Sequence, residues 1–179
     1  MSEDKIDVSI EDFFSNILES IGKISDDEIF DLLSKSHKTI STAESVTGGL
    51  LSSRLTAFSG SSNYFIGGII SYHSRIKVAE LMIPGSLIAA EGPVSSKVAC
   101  AMAEGIKKRF KTDFGLSTTG CAGPLPLQKS PVGLVYIAIA SEKGCECKEL
   151  HLAGTRGEIR ERAAQAALGL LWIELGGEI

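Results

Sequence analysis

The chain has 179 residues, of which 44% are hydrophobic, and a net charge of −4, so we expect one globular domain with a substantial core. Its apolar runs are far shorter than the roughly 20 residues of a membrane-spanning helix, and its acidic start does not resemble a signal peptide. We therefore predict a cytoplasmic protein that binds no membrane. Nucleic-acid binding is not expected either, because the densest basic tract, KKRFK at 107–111, is typical of the last turn of a helix.

The acidic charge is concentrated at the N-terminus. Residues 1–37 carry 10 acidic and 3 basic side chains, whereas residues 38–179 carry 12 and 15. Apolar residues at three- and four-residue intervals predict two helices in the first segment, and the second helix opens with the capping-box pair Ser25 and Glu28. We therefore divide the chain into an acidic helical arm, 1–37, and an α/β domain, 38–179. The arm either packs on the domain or forms a subunit contact.

Strands and helices alternate beyond the arm. Strands are predicted at 38–43, 65–72, 114–120, 133–141 and 145–153. Helices are predicted at about 48–58, 74–82, 92–110 and 157–175, with a loop around Pro84 and Gly85. Because strand–helix alternation is followed by a hairpin, the pattern predicts an α/β sandwich with a mixed sheet.

The first strand–helix junction, AESVTGG at 43–49, is the most informative. Helix-opening glycines at Gly48 and Gly49 leave backbone N–H groups that can bind an anion or a developing oxyanion, and Ser45 can reach the same space. A purely structural turn is the alternative, with Ser45 or Thr47 capping the helix and the glycines allowing close packing. The spacing does not match a P-loop.

Two further junctions carry polar residues. In SYHSRIK at 71–77, Tyr72 ends a strand and Lys77 lies one turn into a helix, where burial would lower its pKa toward that of a base. Ser74 and Lys77 also satisfy S-x-x-K, an alternative nucleophile–lysine pair. STTGCAGP at 117–124 fits either a polar ligand site or a tight turn. All three junctions follow strand ends, where open α/β sheets bind ligands.

The four cysteines suggest packing more than chemistry. Cys145 and Cys147 are two residues apart on a predicted strand, so their side chains point to one face, and no second pair stands at zinc spacing. We interpret them as packed thiols, with metal or redox use as the alternative. Cys100 lies in an apolar helical pattern and is predicted to be in the core.

Taken together, these motifs resemble the C-terminal domain of the CinA (competence/damage-inducible protein) family over about residues 38–175. The matching segments are TAESVTGG at 42–49, SGSSNYFIGGIISY at 59–72 with Lys77, GPVS at 92–95, TTGCAGP at 118–124, PVGLVYIA at 131–138 and the arginine-rich helix start at 155–162. The resemblance implies a three-layer α/β/α sandwich with a mixed sheet that forms homo-oligomers, dimers or higher. Stand-alone members of the family include nicotinamide mononucleotide deamidases, which release ammonia and nicotinic acid mononucleotide.

The resemblance also implies a site. Its catalytic group would be Ser45, Tyr72 and Lys77, with the serine attacking the carboxamide and the lysine taking its proton, directly or through the tyrosine. The substrate would be a small-molecule nucleotide, and neither a cofactor nor a metal is implied. Residues expected to bind the substrate are Glu44, Thr47, Gly48, Gly49, Thr119, Gly120, Arg156 and Arg160.

One loop departs from the family pattern. Leu125, Pro126 and Leu127 stand where family deamidases have an Asp-Gly-Gly run, and Ser74 stands in place of an asparagine. The loop is therefore stiffer and more apolar, which motivates two alternatives. The first is a non-enzymatic nucleotide-binding or regulatory protein that keeps the fold. The second is a hydrolase of another amide or ester that uses the same Ser-Lys machinery.

Overall fold

The computed structural model describes residues 25–127 and 130–177, so the first helix predicted in the arm lies outside the described residues. The helices are α1 (Asp26–Ser36), α2 (Leu50–Leu55), α3 (Ser74–Leu81), α4 (Gly85–Glu91), α5 (Ser96–Phe110) and α6 (Arg156–Glu174). The strands are β1 (Ile40–Glu44), β2 (Phe65–Ile70), β3 (Phe114–Gly120), β4 (Leu134–Ser141) and β5 (Gly144–His151).

The five strands form one mixed sheet in the order β2-β1-β3-β4-β5. Strand β1 lies between β2 and β3 and runs parallel to both, while β4 is antiparallel to β3 and β5 is antiparallel to β4. Helices cover both faces, with α1, α2 and α6 on one side and α3, α4 and α5 on the other. The predicted three-layer sandwich with a mixed sheet is thus confirmed, because strand–helix crossovers place helices on both faces of parallel strands.

Helix α1 packs on the domain and is not detached from it. Its Ser25 and Glu28 form the predicted capping box. Its apolar face buries Ile29, Phe30 and Leu33 in the same cluster as strand β1 and helix α6. The described part of the acidic arm therefore contributes directly to the core.

An ion pair fixes the start of this helix. The guanidinium of Arg54, on α2, contacts both carboxylate oxygens of Asp26, with Nε at 2.9 Å from Oδ2, and this pair is mostly shielded from solvent. We expect Asp26→Ala to lower the free energy of unfolding by about 1 to 2 kcal/mol, since bidentate charged contacts exceed the value of exposed pairs. Asp27→Ala is the matched control, because Asp27 lies in the same first turn without the arginine contact. If urea unfolding showed the same loss of unfolding free energy for Asp26→Ala and Asp27→Ala, this prediction would be contradicted.

Two sequence predictions are corrected. The region after Pro84 forms helix α4 instead of a loop; none of its residues is buried, so it lacks the apolar stripe that identifies an amphipathic helix. Helix α2 begins at Leu50 instead of residue 48, because Gly48 and Gly49 have φ of +60° and +105°, which are left-handed values outside a right-handed helix. Among the described residues, no helix is both long and apolar enough to cross a bilayer.

Candidate active site

Ser45 directly follows strand β1 and is held by hydrogen bonds from both neighbouring chain segments. Its backbone N–H donates to the Thr118 carbonyl at 2.9 Å, and the Ser71 N–H donates to the Glu44 carbonyl at 2.7 Å. These bonds continue the parallel ladder by one residue beyond β1 and β2. The position of Ser45 is therefore fixed by the sheet, and its side chain is 9% exposed.

A buried lysine contacts this serine. Lys77, in the first turn of α3, is 1% exposed, and its Nζ donates to Ser45 Oγ at 3.0 Å and to the Ser71 carbonyl at 2.6 Å. Burial lowers the pKa of Lys77 to about 8, because the apolar surroundings disfavour the ammonium. A serine hydroxyl beside a lysine of lowered pKa is a nucleophile–base pair.

Glu44 holds the turn that follows Ser45. This fully buried carboxylate accepts hydrogen bonds from Thr47 Oγ1 at 2.7 Å, from the N–H groups of Gly49 at 2.8 Å and Leu51 at 3.2 Å, and from the N–H and hydroxyl of Ser52. The anion that the sequence predicts at the start of helix α2 is therefore the side-chain carboxylate of Glu44, and not a bound ligand. Because Glu44 uses the Gly49 N–H, that group is not available to stabilise an oxyanion, which corrects the sequence interpretation.

Other backbone donors remain beside the serine. The N–H groups of Val46, Thr47 and Gly48 have no acceptor among the described residues, and Val46 lines the cleft next to Ser45. The Arg160 Nη2 donates to the Thr47 carbonyl at 2.8 Å, so this predicted substrate-binding side chain braces the turn. Thr47 itself is buried and bonds Glu44 and Thr118.

Tyr72 and Arg156 form the rim of the site. The Arg156 Nη2 donates to the Tyr72 hydroxyl at 2.7 Å, and its Nη1 donates to the Gly123 carbonyl at 2.6 Å. Tyr72 is 58% exposed. Lys77 therefore contacts Ser45 directly, whereas the Tyr72 hydroxyl accepts a hydrogen bond from Arg156.

Not every residue that was predicted to bind the substrate lines the cleft beside Ser45. The buried Thr119 hydroxyl donates to the Pro93 carbonyl at 2.8 Å and does not line the cleft. Its neighbour Thr118, which sequence analysis passed over, contacts the Ser45 turn instead. Lys77 contacts Ser45 and not Ser74, although Ser74 has the S-x-x-K spacing. Alternation along β3 is the signal that separates the two threonines, since they point to opposite faces.

A cleft of about 320 Å³ opens over Ser45, within the size range of small-molecule sites. One wall carries the exposed side chains of Leu125 and Leu127 from the loop that departs from the family pattern, and Arg156 is the charged residue in the lining. A larger hollow of about 770 Å³ beside α4 does not reach this serine. The lining residues of the cleft are Ser45, Val46, Tyr72, His73, Gly120, Cys121, Ala122, Gly123, Leu125, Leu127 and Arg156.

Among residues 25–127 and 130–177, no three histidine, cysteine, aspartate or glutamate side chains are arranged to hold a metal ion. The polar side chains in the lining are those of Ser45, Tyr72, His73, Cys121 and Arg156, and the buried Lys77 amine, which is not part of the lining, contacts Ser45. The fold and the site together define an α/β/α sandwich protein with a buried Ser-Lys pair at the end of strand β1.

The chain belongs to the CinA C-terminal domain family, whose profile matches residues 23–175. It is 46% identical over 144 residues to a CinA-like protein of Dictyoglomus thermophilum, covering 80% of this chain and 35% of that protein. It is 38% identical over 181 residues to a CinA-like protein of Geotalea daltonii, covering 98% of this chain and 44% of that protein. The chain thus spans less than half the length of these curated relatives.

Solved structures share the fold. The competence/damage inducible protein CihA of Agrobacterium tumefaciens has a TM-score of 0.76 at 33% identity, with 89% of this chain and 95% of that chain covered. A CinA superfamily protein of Klebsiella pneumoniae has a TM-score of 0.82 at 22% identity, with 89% and 98% covered. Because the identity to the Klebsiella pneumoniae protein is only 22%, that similarity shows a shared fold alone.

Proposed function

We propose that the chain is an amidohydrolase that converts nicotinamide mononucleotide and water to nicotinic acid mononucleotide and ammonia. The observation that supports this most is the 3.0 Å contact between the buried Lys77 Nζ and the Oγ of Ser45, a residue that lines an open cleft. A protein that only bound a nucleotide would have no need of this contact, so the pair favours an enzyme over the binding-only alternative.

The chemistry follows from the groups at the cleft. Neutral Lys77 accepts the Ser45 proton as the oxygen attacks the carboxamide carbon, and the unpaired N–H groups near Val46 stabilise the oxyanion. Lys77 then returns the proton to the nitrogen, ammonia leaves, and water hydrolyses the acyl-serine by the same base. Arg156 and Tyr72 lie at the rim, where a guanidinium suits the substrate phosphate because its planar fork matches phosphate oxygens.

A second candidate is the hydrolysis of an amide without a nucleotide group. The observation that favours it is the apolar wall, in which Leu125 is 79% exposed and lies across a cleft with one arginine. An apolar acyl or amine group would bury this surface on binding. The same Ser-Lys pair would perform the chemistry.

Ammonia release separates these candidates. We expect the purified chain to release ammonia from nicotinamide mononucleotide, with Ser45→Ala as the blank and Ser53→Ala, an exposed serine on the next helix, as the matched control. Release from an apolar carboxamide but not from the nucleotide would support the second candidate. A folded chain that releases ammonia from neither substrate would overturn the amidohydrolase proposal.

The pH dependence of the rate tests the base. Since burial lowers the pKa of Lys77 to about 8, the neutral amine is the minor form at pH 7. We expect kcat/KM to rise about tenfold per pH unit below pH 8 and to level off above it. Ammonia release at low substrate concentration, measured from pH 6 to 10 with circular dichroism as a check on folding, gives the profile. A flat profile through pH 8 would contradict the role of Lys77.

The phosphate contact is tested at Arg156. We expect Arg156→Ala to raise KM for nicotinamide mononucleotide by about 10- to 100-fold, which corresponds to about 1.4 to 3 kcal/mol of a charged hydrogen-bond contact. KM for nicotinamide riboside, which lacks the phosphate, should change little. Arg162→Ala is the matched control, because Arg162 lies on the same helix and donates to the Ala153 carbonyl away from the cleft. Equal KM changes for both substrates would exclude a phosphate role.

A further inference from the structure

Three cysteines meet on the face of the sheet that α5 covers, at positions that do not line the Ser45 cleft. Cys100 lies on helix α5, and Cys145 and Cys147 lie on strand β5. All three are free, half-buried thiols packed against one cluster of small residues. The spacing of Cys145 and Cys147 predicts packed thiols on one face of a strand, and the helix brings a third thiol to them.

The strand register shows how they meet. Two rows run across the sheet toward β5: Ser117, Ala138 and Cys147 form one row, and Gly115, Ala140 and Cys145 form the next row on the same face. Directly paired residues share a face of the sheet, so both strand thiols point toward α5.

The helix lies across both rows. The Ser117 hydroxyl donates to the Ala99 carbonyl at 2.7 Å, which places that turn of α5 above the first row. A Cβ atom built on Gly115 would lie 2.1 Å from the Ala103 carbonyl oxygen, which places the next turn above the second row. Cys100 follows Ala99 in the same helix and therefore lies between the levels of the two strand thiols.

Small side chains permit a close approach of helix and strand. The cluster around the thiols consists of Ala99, Ala103, Ala138 and Ala140. Because these residues have no side chain beyond Cβ, the backbone of α5 comes near the sheet. A disulfide requires such an approach, since the Cα atoms of two bonded cysteines are usually about 4.4 to 6.8 Å apart.

The thiols also differ in acidity. The neighbouring thiols of Cys145 and Cys147 lower the pKa of the Cys100 thiol, whereas the interaction with Cys100 and burial raise the pKa of both strand thiols. Glu104 and Glu149 disfavour ionisation of the strand thiols further, and Lys148 favours it at Cys147. This difference makes Cys100 the attacking thiolate, because the thiolate is the nucleophile in disulfide exchange.

We propose that Cys100 forms a disulfide with Cys145 or Cys147 when the protein meets a low-molecular-weight disulfide, which makes this helix–sheet cluster a thiol-modification site separate from the Ser45 cleft.

The reaction balances with glutathione disulfide as the oxidant. The Cys100 thiolate attacks one sulfur of glutathione disulfide, which forms a protein–glutathione disulfide and releases one glutathione. A strand thiol then attacks the Cys100 sulfur, and the second glutathione leaves with the strand thiol's proton. Two protein thiols are oxidised to one disulfide and one glutathione disulfide is reduced to two glutathiones.

The test uses intact-mass measurement after acid quenching, followed by alkylation and peptide mapping. We expect the full chain treated with glutathione disulfide to lose two hydrogen atoms, to keep two alkylatable thiols and to yield a peptide linking Cys100 to a strand cysteine. Cys145→Ser and Cys147→Ser should each still form the disulfide. The double variant should stop with one glutathione on Cys100, because no resolving thiol remains.

The controls address folding and the remaining cysteine. Cys100→Ala, which places one more small residue among alanines, should fold and form no disulfide, and Cys121→Ser should behave as the unchanged chain. A disulfide between Cys145 and Cys147 in Cys100→Ala would overturn the proposal. So would an unchanged chain that keeps glutathione on Cys100 without closing, or one that cross-links only between molecules.

Discussion

Replacing Lys77 with Met is expected to lower kcat by about a thousandfold or more and, at pH 7, to raise the free energy of unfolding. The first effect follows from the loss of the base that contacts Ser45 Oγ at 3.0 Å. The gain in stability follows from burial, because the wild-type chain at pH 7 holds the Lys77 ammonium where this residue is only 1% exposed. Ser45→Ala should lower kcat to the same extent without the gain in stability.

The sign of the stability effect depends on pH. The folded-state pKa of Lys77 is lowered from 10.5 to about 8, so the unfolded chain binds more protons between these values. Wild-type stability therefore rises from about pH 8 to about pH 10.5 as the burial penalty is lost. At pH 7 the full penalty is about 3 kcal/mol, so we expect Lys77→Met to stabilise the chain by about 1 to 3 kcal/mol after its lost hydrogen bonds are counted.

Urea unfolding at pH 7 and at pH 10.5 measures this effect, with ammonia release as the activity readout. Lys108→Met is the matched control, because Lys108 is exposed on α5 and should alter neither quantity. The stability advantage of Lys77→Met should shrink at pH 10.5. An inactive variant that is equally destabilised at both pH values would show that the lysine has a structural role instead.

Replacing Glu44 with Ala is expected to lower the free energy of unfolding by about 3 to 5 kcal/mol. The carboxylate satisfies the N–H groups of Gly49, Leu51 and Ser52 together with two hydroxyls, and each buried donor left unpaired costs about 1 to 3 kcal/mol. Activity should fall as well, because Ser45 is the next residue in the chain. Glu44→Gln should be intermediate, since an amide keeps one acceptor oxygen but presents its NH₂ group to a donor.

The control for Glu44 is a second glutamate at a helix start. Glu158 accepts from the Thr155 N–H at 2.7 Å in the capping box of α6, but it is exposed. Glu158→Ala should therefore cost much less than Glu44→Ala, because water can replace the carboxylate at the exposed Thr155 N–H. Similar losses at both glutamates, measured by urea unfolding, would contradict the argument from burial.

Local signals were sufficient for much of the fold. Strand β3 was predicted with its observed ends, and the capping box at Ser25 and Glu28 formed as expected, because both depend on neighbouring residues. Helix α4 was missed because Pro84 and Gly85 at its start are typical of a turn and none of its residues is buried. The start of α2 was predicted too early, because the left-handed backbone of Gly48 and Gly49 is not visible in a residue pattern.

The candidate site was predicted in part. Ser45 and Lys77, 32 positions apart, were both singled out at strand ends, and they are in contact. The role of Glu44 was not foreseen, because its five donors come from a turn whose path depends on two left-handed glycines. Thr119 was expected near the substrate and bonds Pro93 instead, whereas Thr118 bonds the Ser45 turn.

By itself the sequence determined the order of the five strands and of the described helices other than α4, since periodicity and turn chemistry are local properties. It also determined the three polar junctions and the residue types that they offer. Only the tertiary structure decided which of those residues meet. The parallel ladder fixes Ser45 between Thr118 and Ser71, and packing buries Lys77 so that its pKa is lowered. It also placed Cys100 over Cys145 and Cys147, because long-range contacts depend on how α5 lies across the sheet.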